Sequence, residues 1–217
     1  MFVLFGIGLS YVRMLPPMVG WAMCALGALI GLGVSVFIFF AHIRLGELHF
    51  WVYAFLTAVP IIVALPMVIN DLRYPRINDV TTDVENPPVF VAALNALPNI
   101  DRNMAFPEHF GPIVIEGYST VQPLIMDEAP AETFQRIKNL LEVQSGWVIT
   151  HSDAVKGTLE GEVTTSVFRF VDDFVIRVSK QYGKARIDMR SKSRDGLVDA
   201  GANAKRIQAF LTQLERA

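Results

Sequence analysis

Cysteine occurs once in the 217 residues, at Cys24, so the chain forms no internal disulfide and offers no cysteine cage for zinc. Charge is scarce as well. Asp, Glu, Lys and Arg make up 18% of the chain, against about 25% in an ordinary water-soluble domain. The deficit lies at one end, because residues 1–70 contain only Arg13, Arg44 and Glu47 from this group. An excess of positive charge is also missing. The net charge of -2 excludes the broad basic footprint that phosphate backbones require, so no nucleic-acid partner is expected. The chain has no GxSxG elbow, SxxK pair or calcium-loop spacing, and nothing in it calls for a cofactor or a metal.

What the first third does contain is apolar length. Met18 to Ala41 is an uncharged run of 24 residues, roughly 36 Å as a helix and enough for the ~30 Å hydrocarbon core of a bilayer. Leu48 to Ile69 predicts a second span, kinked at Pro60 and Pro66, where each proline removes a backbone donor. Trp21, Trp51 and Tyr53 fit an interfacial aromatic belt. Residues 1–17 form a shorter apolar segment, broken by Arg13 and Pro16-Pro17, and are expected to lie at the interface. Without a basic n-region or a small-x-small site, this segment does not read as a secretory signal. Gly27, Gly31 and Ser35 make a four-residue stripe on the first span, suited to close packing on the second span or to a homodimer. Two spans put both chain ends on one side, and Arg13, Arg73 and Arg76 against Arg44 favour the cytoplasm.

Residues 71–112 read as a juxtamembrane tether followed by an irregular stretch, and residues 113–217 as a soluble α+β domain. Within the tether, RINDVTTDVENPP is rich in hydroxyls and carboxylates suited to Asx and Ser/Thr turns; it is expected to dock on the sheet. Val89 to Leu97 after Pro87-Pro88 is short and apolar and is positioned to open a helix. Beyond it, Thr120 to Met126 predicts a strand, and Asp127-Glu128-Ala129-Pro130 a helix start. Phe134, Ile137, Leu140 and Leu141 then share one helix face. Period-two patterns over 147–150, 158–167, 174–178 and 185–189 predict antiparallel strands. A final helix from about Ala200 to Arg216, with Asp199 as its N-cap, completes a sheet of four to five strands covered by two helices.

Three constellations carry candidate chemistry. Arg186, Asp188, Arg190 and Lys192 share the outward face of the last strand, with Arg194 following. They are arranged to grip an anionic head group or an acidic partner, or else to pair with Asp188, Glu160 and Glu162 as a solvated sheet face. Asp79 and Asp83 have the oxygen chemistry of a weak cation site. Asp172-Asp173 reads as a turn between strands, since adjacent strand residues point to opposite faces and make a poor catalytic pair.

INDVTTDVENPPVF, QPLIMDEAPAETF, GTLEGEVTTSVFRFVDDFVIRV and RSKSRDGLVDAGANAKRIQAFL, in that order, resemble an uncharacterised family of bacterial membrane proteins, domain of unknown function 1499, which also has plastid relatives. The resemblance implies membrane architecture and no particular reaction, cofactor or catalytic residue. Members often carry three spans, and the plastid relatives imply a non-cytoplasmic, periplasmic face, opposite to the charge count. The expectation is an inner-membrane, non-enzymatic binding or assembly module of the cell envelope, whose partner is a lipid-like molecule or an envelope protein. Two competing expectations are a metal-assisted hydrolase using Asp79, Asp83 or Asp173, and a structural subunit of a membrane complex.

Overall fold

The computed structural model describes residues 2–45, residues 58, 59, 62, 65, 66 and 69, and residues 73–217. It divides into a helical unit, residues 1–73 with 166–169, and a sheet unit, residues 74–165 with 170–217. In the first, α1 (Phe2–Tyr11) packs on α2 (Pro17–Leu45). Their backbones meet closely because both carry glycine at the crossing, where a Cβ at Gly6 would lie 2.7 Å from the Gly20 carbonyl oxygen. At ten residues, α1 is roughly 15 Å long and too short to cross a bilayer. Among the described residues, α2 is the one helix long and apolar enough to do so, over Pro17–Arg44. The second predicted span, Leu48 to Ile69, lies largely outside the described residues.

The sheet unit has an α+β architecture. Among the described residues its strands are β1 (Asp79–Thr81), β2 (Leu124–Met126), β3 (Trp147–Asp153), β4 (Thr158–Thr164), β5 (Val171–Gln181) and β6 (Lys184–Ser193). They form one antiparallel sheet in the order β1-β6-β5-β4-β3, with β2 sharing the outer edge of β6 beyond β1. The expected four to five strands thus become six. The additional one, β1, comes from the stretch read as a tether: Asp79, Val80 and Thr81 pair with Lys192, Ser191 and Arg190. Three residues of mixed polarity are too few to declare a strand by alternation.

One sheet face is apolar and carries helices α4 (Pro130–Glu142) and α5 (Ala202–Arg216). Leu159, Phe174, Ile176, Ile187 and Met189 meet Phe134, Ile137, Leu141, Ile207, Phe210 and Leu214 there, all buried. Pro130 stands at the start of α4, where its missing N–H costs nothing. The expected cap shifts: α5 begins at Ala202 with Gly201, in a left-handed conformation, in the N-cap position, and Asp199, two residues earlier, accepts from the Gly201 and Asn203 backbone N–H groups. The interval read as irregular also holds helix α3 (Phe110–Gly117). Where a helix start was expected near Pro88, the chain forms two single 3-10 turns, Ala93–Asn95 and Leu97–Asn99, separated by an extended Ala96.

Candidate functional site

The opposite face of the sheet is the unusual one. Alternation along β6 sends Ala185, Ile187 and Met189 to the helices and Arg186, Asp188, Arg190 and Lys192 the other way. This second face was expected to be solvated. Instead residues 83–106 run across it as a cover, and Asp79, Glu160, Asp173 and Asp188 are completely buried, with Arg190 only 1% exposed. Buried charge on this scale requires partners.

Asp79 takes Arg190 in a fork, Nε to Oδ1 at 2.9 Å and Nη2 to Oδ2 at 2.7 Å, while Lys192 Nζ donates to the same Oδ2 at 2.9 Å. The strand register makes this arrangement: Asp79 lies across from Lys192, and Thr81 across from Arg190. Arg190 then reaches upward. It donates to the carbonyls of Pro88 (3.2 Å) and Met104 (2.8 Å), and its guanidinium carbon lies 4.8 Å from the Phe90 ring centroid and 5.5 Å from that of Phe106. One side chain therefore ties both ends of the cover to the sheet, and stacking between two rings suits a guanidinium better than an ammonium.

Glu160 fixes the middle. Its carboxylate accepts from the backbone N–H groups of Val91 (2.7 Å), Ala92 (2.9 Å) and Ala93 (3.1 Å), satisfying the orphan donors that open the first 3-10 turn. Asp173 accepts from Asn99 Nδ2 at 2.9 Å and from Arg194, whose Nη2 is 2.6 Å from its Oδ1. Arg194 also pairs with Glu162, and Arg102 of the cover donates to the Ser193 carbonyl at 2.6 Å. Burial works against the Arg194 charge, but the bonds to Asp173 and Glu162 outweigh it and hold its pKa above the ordinary arginine value. At the other end of β6, Asp188 and Asp83 share Arg177 and Arg186, with contacts of 2.9 to 3.0 Å. The Asp188 hydrogen bond is the main cause of the raised Arg186 pKa. A small apolar contact of Phe90, Ala93 and Met104 on Val175 fills the centre.

All six residues singled out for ligand or partner binding, Arg186, Arg190, Lys192, Arg194, Asp79 and Asp83, thus join one covered lattice in which each cation faces a carboxylate. Arg190 and Lys192 are not on an open strand face; Arg186, with about a quarter of its side chain exposed, is the most accessible of the four cations. With Asp83 it borders a hollow of about 200 Å³ lined also by Thr82, Val114, Tyr118 and Val121, smaller than the ~300 Å³ at which small-molecule sites begin. The expected Asx and Ser/Thr turns are present: Asp83 N–H donates to Thr81 Oγ1 at 3.3 Å and Asn86 N–H to Asp83 Oδ1 at 2.9 Å. Thr82 Oγ1 accepts from the Met189 N–H at 3.0 Å.

Asp172-Asp173 is not a turn. Both residues lie in β5 and point to opposite faces, Asp172 to Arg206 on α5 and Asp173 to Arg194. Among the described residues no three His, Cys, Asp or Glu side chains converge as a metal site. Asp79, Asp83 and Asp173 are each met by arginine, the reverse of the uncompensated negative cluster that draws a divalent cation. In the helical unit, Gly27 and Gly31 are buried and Ser35 half-buried, and Cys24 of the same helix face donates to the Val3 carbonyl at 3.4 Å.

Sequence reasoning missed Phe90, Asn99, Arg102, Met104 and Arg177. The available signal was the run 86–100, fifteen residues without a charge in the otherwise normally charged C-terminal part of the chain.

Fold and lattice together define an α+β domain with a charge-locked, covered sheet face, carried behind an N-terminal apolar helix. The family model described as Protein of unknown function (DUF1499) matches residues 79–214, from the first residue of β1 into the last turn of α5, so the chain belongs to that family. Comparison with curated proteins finds no match.

Proposed function

We propose that this protein is a non-enzymatic binding or assembly module of the bacterial cell envelope, anchored in the inner membrane by its N-terminal helices. The observation that supports this most directly is what the charge lattice accomplishes: it holds residues 83–106 in a fixed form that turns five large apolar side chains outward, among exposed polar ones such as Glu85, Asn95 and Asp101. Val89 is 70% exposed and Leu97 85%, with Val91, Leu94 and Ile100 also exposed. A surface loop ordinarily spends such positions on polar residues. Several large apolar side chains exposed on one ordered segment are grounds for seeking an interaction site there.

On this reading the partner meets the outside of the cover, and the β6 cations act beneath it as its foundation. The strand-face version needs Arg190 and Lys192 free, and the hydrolase version needs uncompensated carboxylates; neither condition is met by the pairing described above. The assembly version keeps a role for the Gly27, Gly31 and Ser35 stripe, although Gly27 and Gly31 are already buried within the chain.

The test is site-specific photo-crosslinking in cells, with the reactive side chain at Leu94 on the cover and, for comparison, at Arg136 on the exposed side of α4. Discrete adducts at Leu94 that are absent at Arg136 support the module reading. Equal or absent adducts at both positions defeat it.

A further inference from the structure

The cover is built on a repeat of three. The backbone N–H groups of Asn95, Ala96, Asn99, Ile100 and Arg102 each donate to the carbonyl three residues earlier, at 2.8 to 3.5 Å. In such turns side chains three apart eclipse one another. Burial follows the same count, and the extended Ala96 between the two turns does not break it. Phe90, Ala93 and Asn99 are 6% exposed or less, whereas Val91, Leu94, Leu97 and Ile100 are 48% to 85% exposed. The four aliphatic side chains therefore form one line along the outside of the cover. At the 2.0 Å rise of a 3-10 turn its members stand about 6 Å apart, and the line is roughly 20 Å long.

Its surroundings are uncharged. Residues 86–100 contain no Asp, Glu, Lys or Arg, and the exposed neighbours within the line's span are Asn95 and Pro98. The charge that follows it is negative: Asp101, next to Ile100, is exposed, while Arg102 is engaged with Asn99 Oδ1 and the Ser193 carbonyl.

We infer that this line docks along an amphipathic α-helix of a partner protein, apolar on the docking face and basic where it meets Asp101. The inference rests on the binding-module reading above and names the kind of partner. Backbone hydrogen bonding selects a helix. Most N–H groups from Val91 to Arg102 are engaged in these turns or with Glu160, and Pro98 has none, so the cover lacks the alternating row of donors with which an added strand pairs. A strand laid on aliphatic side chains would bury its own backbone groups without partners, whereas a helix satisfies its backbone internally. The spacing agrees. Side chains on one face of an α-helix recur with each 5.4 Å turn, close to the ~6 Å step of the line, and ~20 Å corresponds to about 13 helical residues. Anionic lipid fits less well, because its head groups would meet Asp101 while residues 86–101 supply no cation.

The test is photo-crosslinking of the full chain in cells, with the reactive side chain placed in turn at Val91, Leu94, Leu97 and Ile100 and, beside the line, at Asn95. Mass spectrometry then maps the residue reached in the partner. The expected result is a single partner segment, reached from the line at sites about three or four residues apart, with Lys or Arg at the end that Ile100 reaches and weaker adducts from Asn95. Leu97→Ser, at a position 85% exposed, is expected to keep the thermal midpoint of the parent and to lower the Leu94 adduct yield about tenfold. An undiminished yield overturns the line as one surface. Sites about two residues apart mean a strand, sites scattered over several segments mean an irregular surface, and adducts on lipid mean a bilayer. Each of these overturns the helix, while a discrete Leu94 adduct absent at Arg136 leaves the module reading standing. A line without adducts defeats both.

Discussion

At the scale of single residues, the protein invests charge where most domains invest hydrocarbon. A buried ion pair is weak grounds for claiming net stability, because desolvation consumes much of the Coulomb gain; removing one member is another matter, since it strands the other. Asp79 is the sharpest case, as it neutralises both Arg190 and Lys192. Asp79→Ala is expected to cost about 3–5 kcal/mol in chemical denaturation, the range for stranding a buried charge. Replacing all three residues together by Leu, Met and Met is expected to recover most of that loss, because no unpaired charge then remains. A triple variant no better than Asp79→Ala would mean that the pairing supplies net stability after all. Gly161 marks a second pressure point, where an added Cβ would lie 2.2 Å from the Val148 carbonyl oxygen and 2.5 Å from the Phe174 ring. Gly161→Ala is expected to destabilise by about 1–3 kcal/mol, as overpacking does, read as a lower thermal midpoint.

At the scale of elements, the cover is held by few apolar contacts and many polar ones, which makes it separable from the sheet. The backbone N–H groups of Val91, Ala92 and Ala93 depend on one carboxylate, that of Glu160. Glu160→Ala is expected to accelerate amide hydrogen exchange at those three positions well before it affects β5 and β6, since local opening draws on local interactions. Uniform acceleration across the sheet would show instead that cover and sheet open as one unit. These facts also explain what was legible beforehand. α4, α5 and β3 to β6 follow from apolar spacing, which sequence displays directly, whereas the N-cap of α5 falls on Gly201 and not on Asp199. Three of the six charged candidates, Arg186, Arg190 and Lys192, were legible because alternation on β6 placed them on one face. Their burial was not. It depends on residues 83–106, whose anchoring rests in large part on Glu160 to backbone amides and Arg190 to two carbonyls, and backbone partners leave no trace in side-chain patterning. β1 escaped for a related reason: three residues recruited by β6 from a distance of about a hundred positions are specified by tertiary contact rather than local preference.

At the scale of the whole molecule, two solvents and a proton balance come into play. Burial is the main cause of the raised Asp199 pKa, with the nearby Asp172 charge adding to it and the bonds from Gly201 and Asn203 opposing it. A carboxyl whose folded pKa exceeds its unfolded one binds its proton more tightly in the folded state, so its contribution is most favourable in acid and declines as pH rises from the ordinary value near 3.8 through the raised one. Asp199→Asn removes that titration, so the difference in stability between variant and parent is expected to shift in favour of the variant as pH climbs through this window; an unchanged difference would refute the raised value. The membrane side is a prediction from a separate count. α1 is too short to cross, and a pair of spans made of α2 and the second apolar run would leave both ends on one side, where Arg13, Arg73 and Arg76 against Arg44 predict the cytoplasm. The plastid relatives of the family argue for the other face, and a single label decides between them. With Cys24→Ala and Ser152→Cys, the new thiol stands on an exposed position of β3, and a membrane-impermeant maleimide is expected to reach it only after lysis. Labelling of intact cells would place the cover in the periplasm, overturn the charge count, and turn the search for its partner from cytoplasmic proteins to those of the envelope.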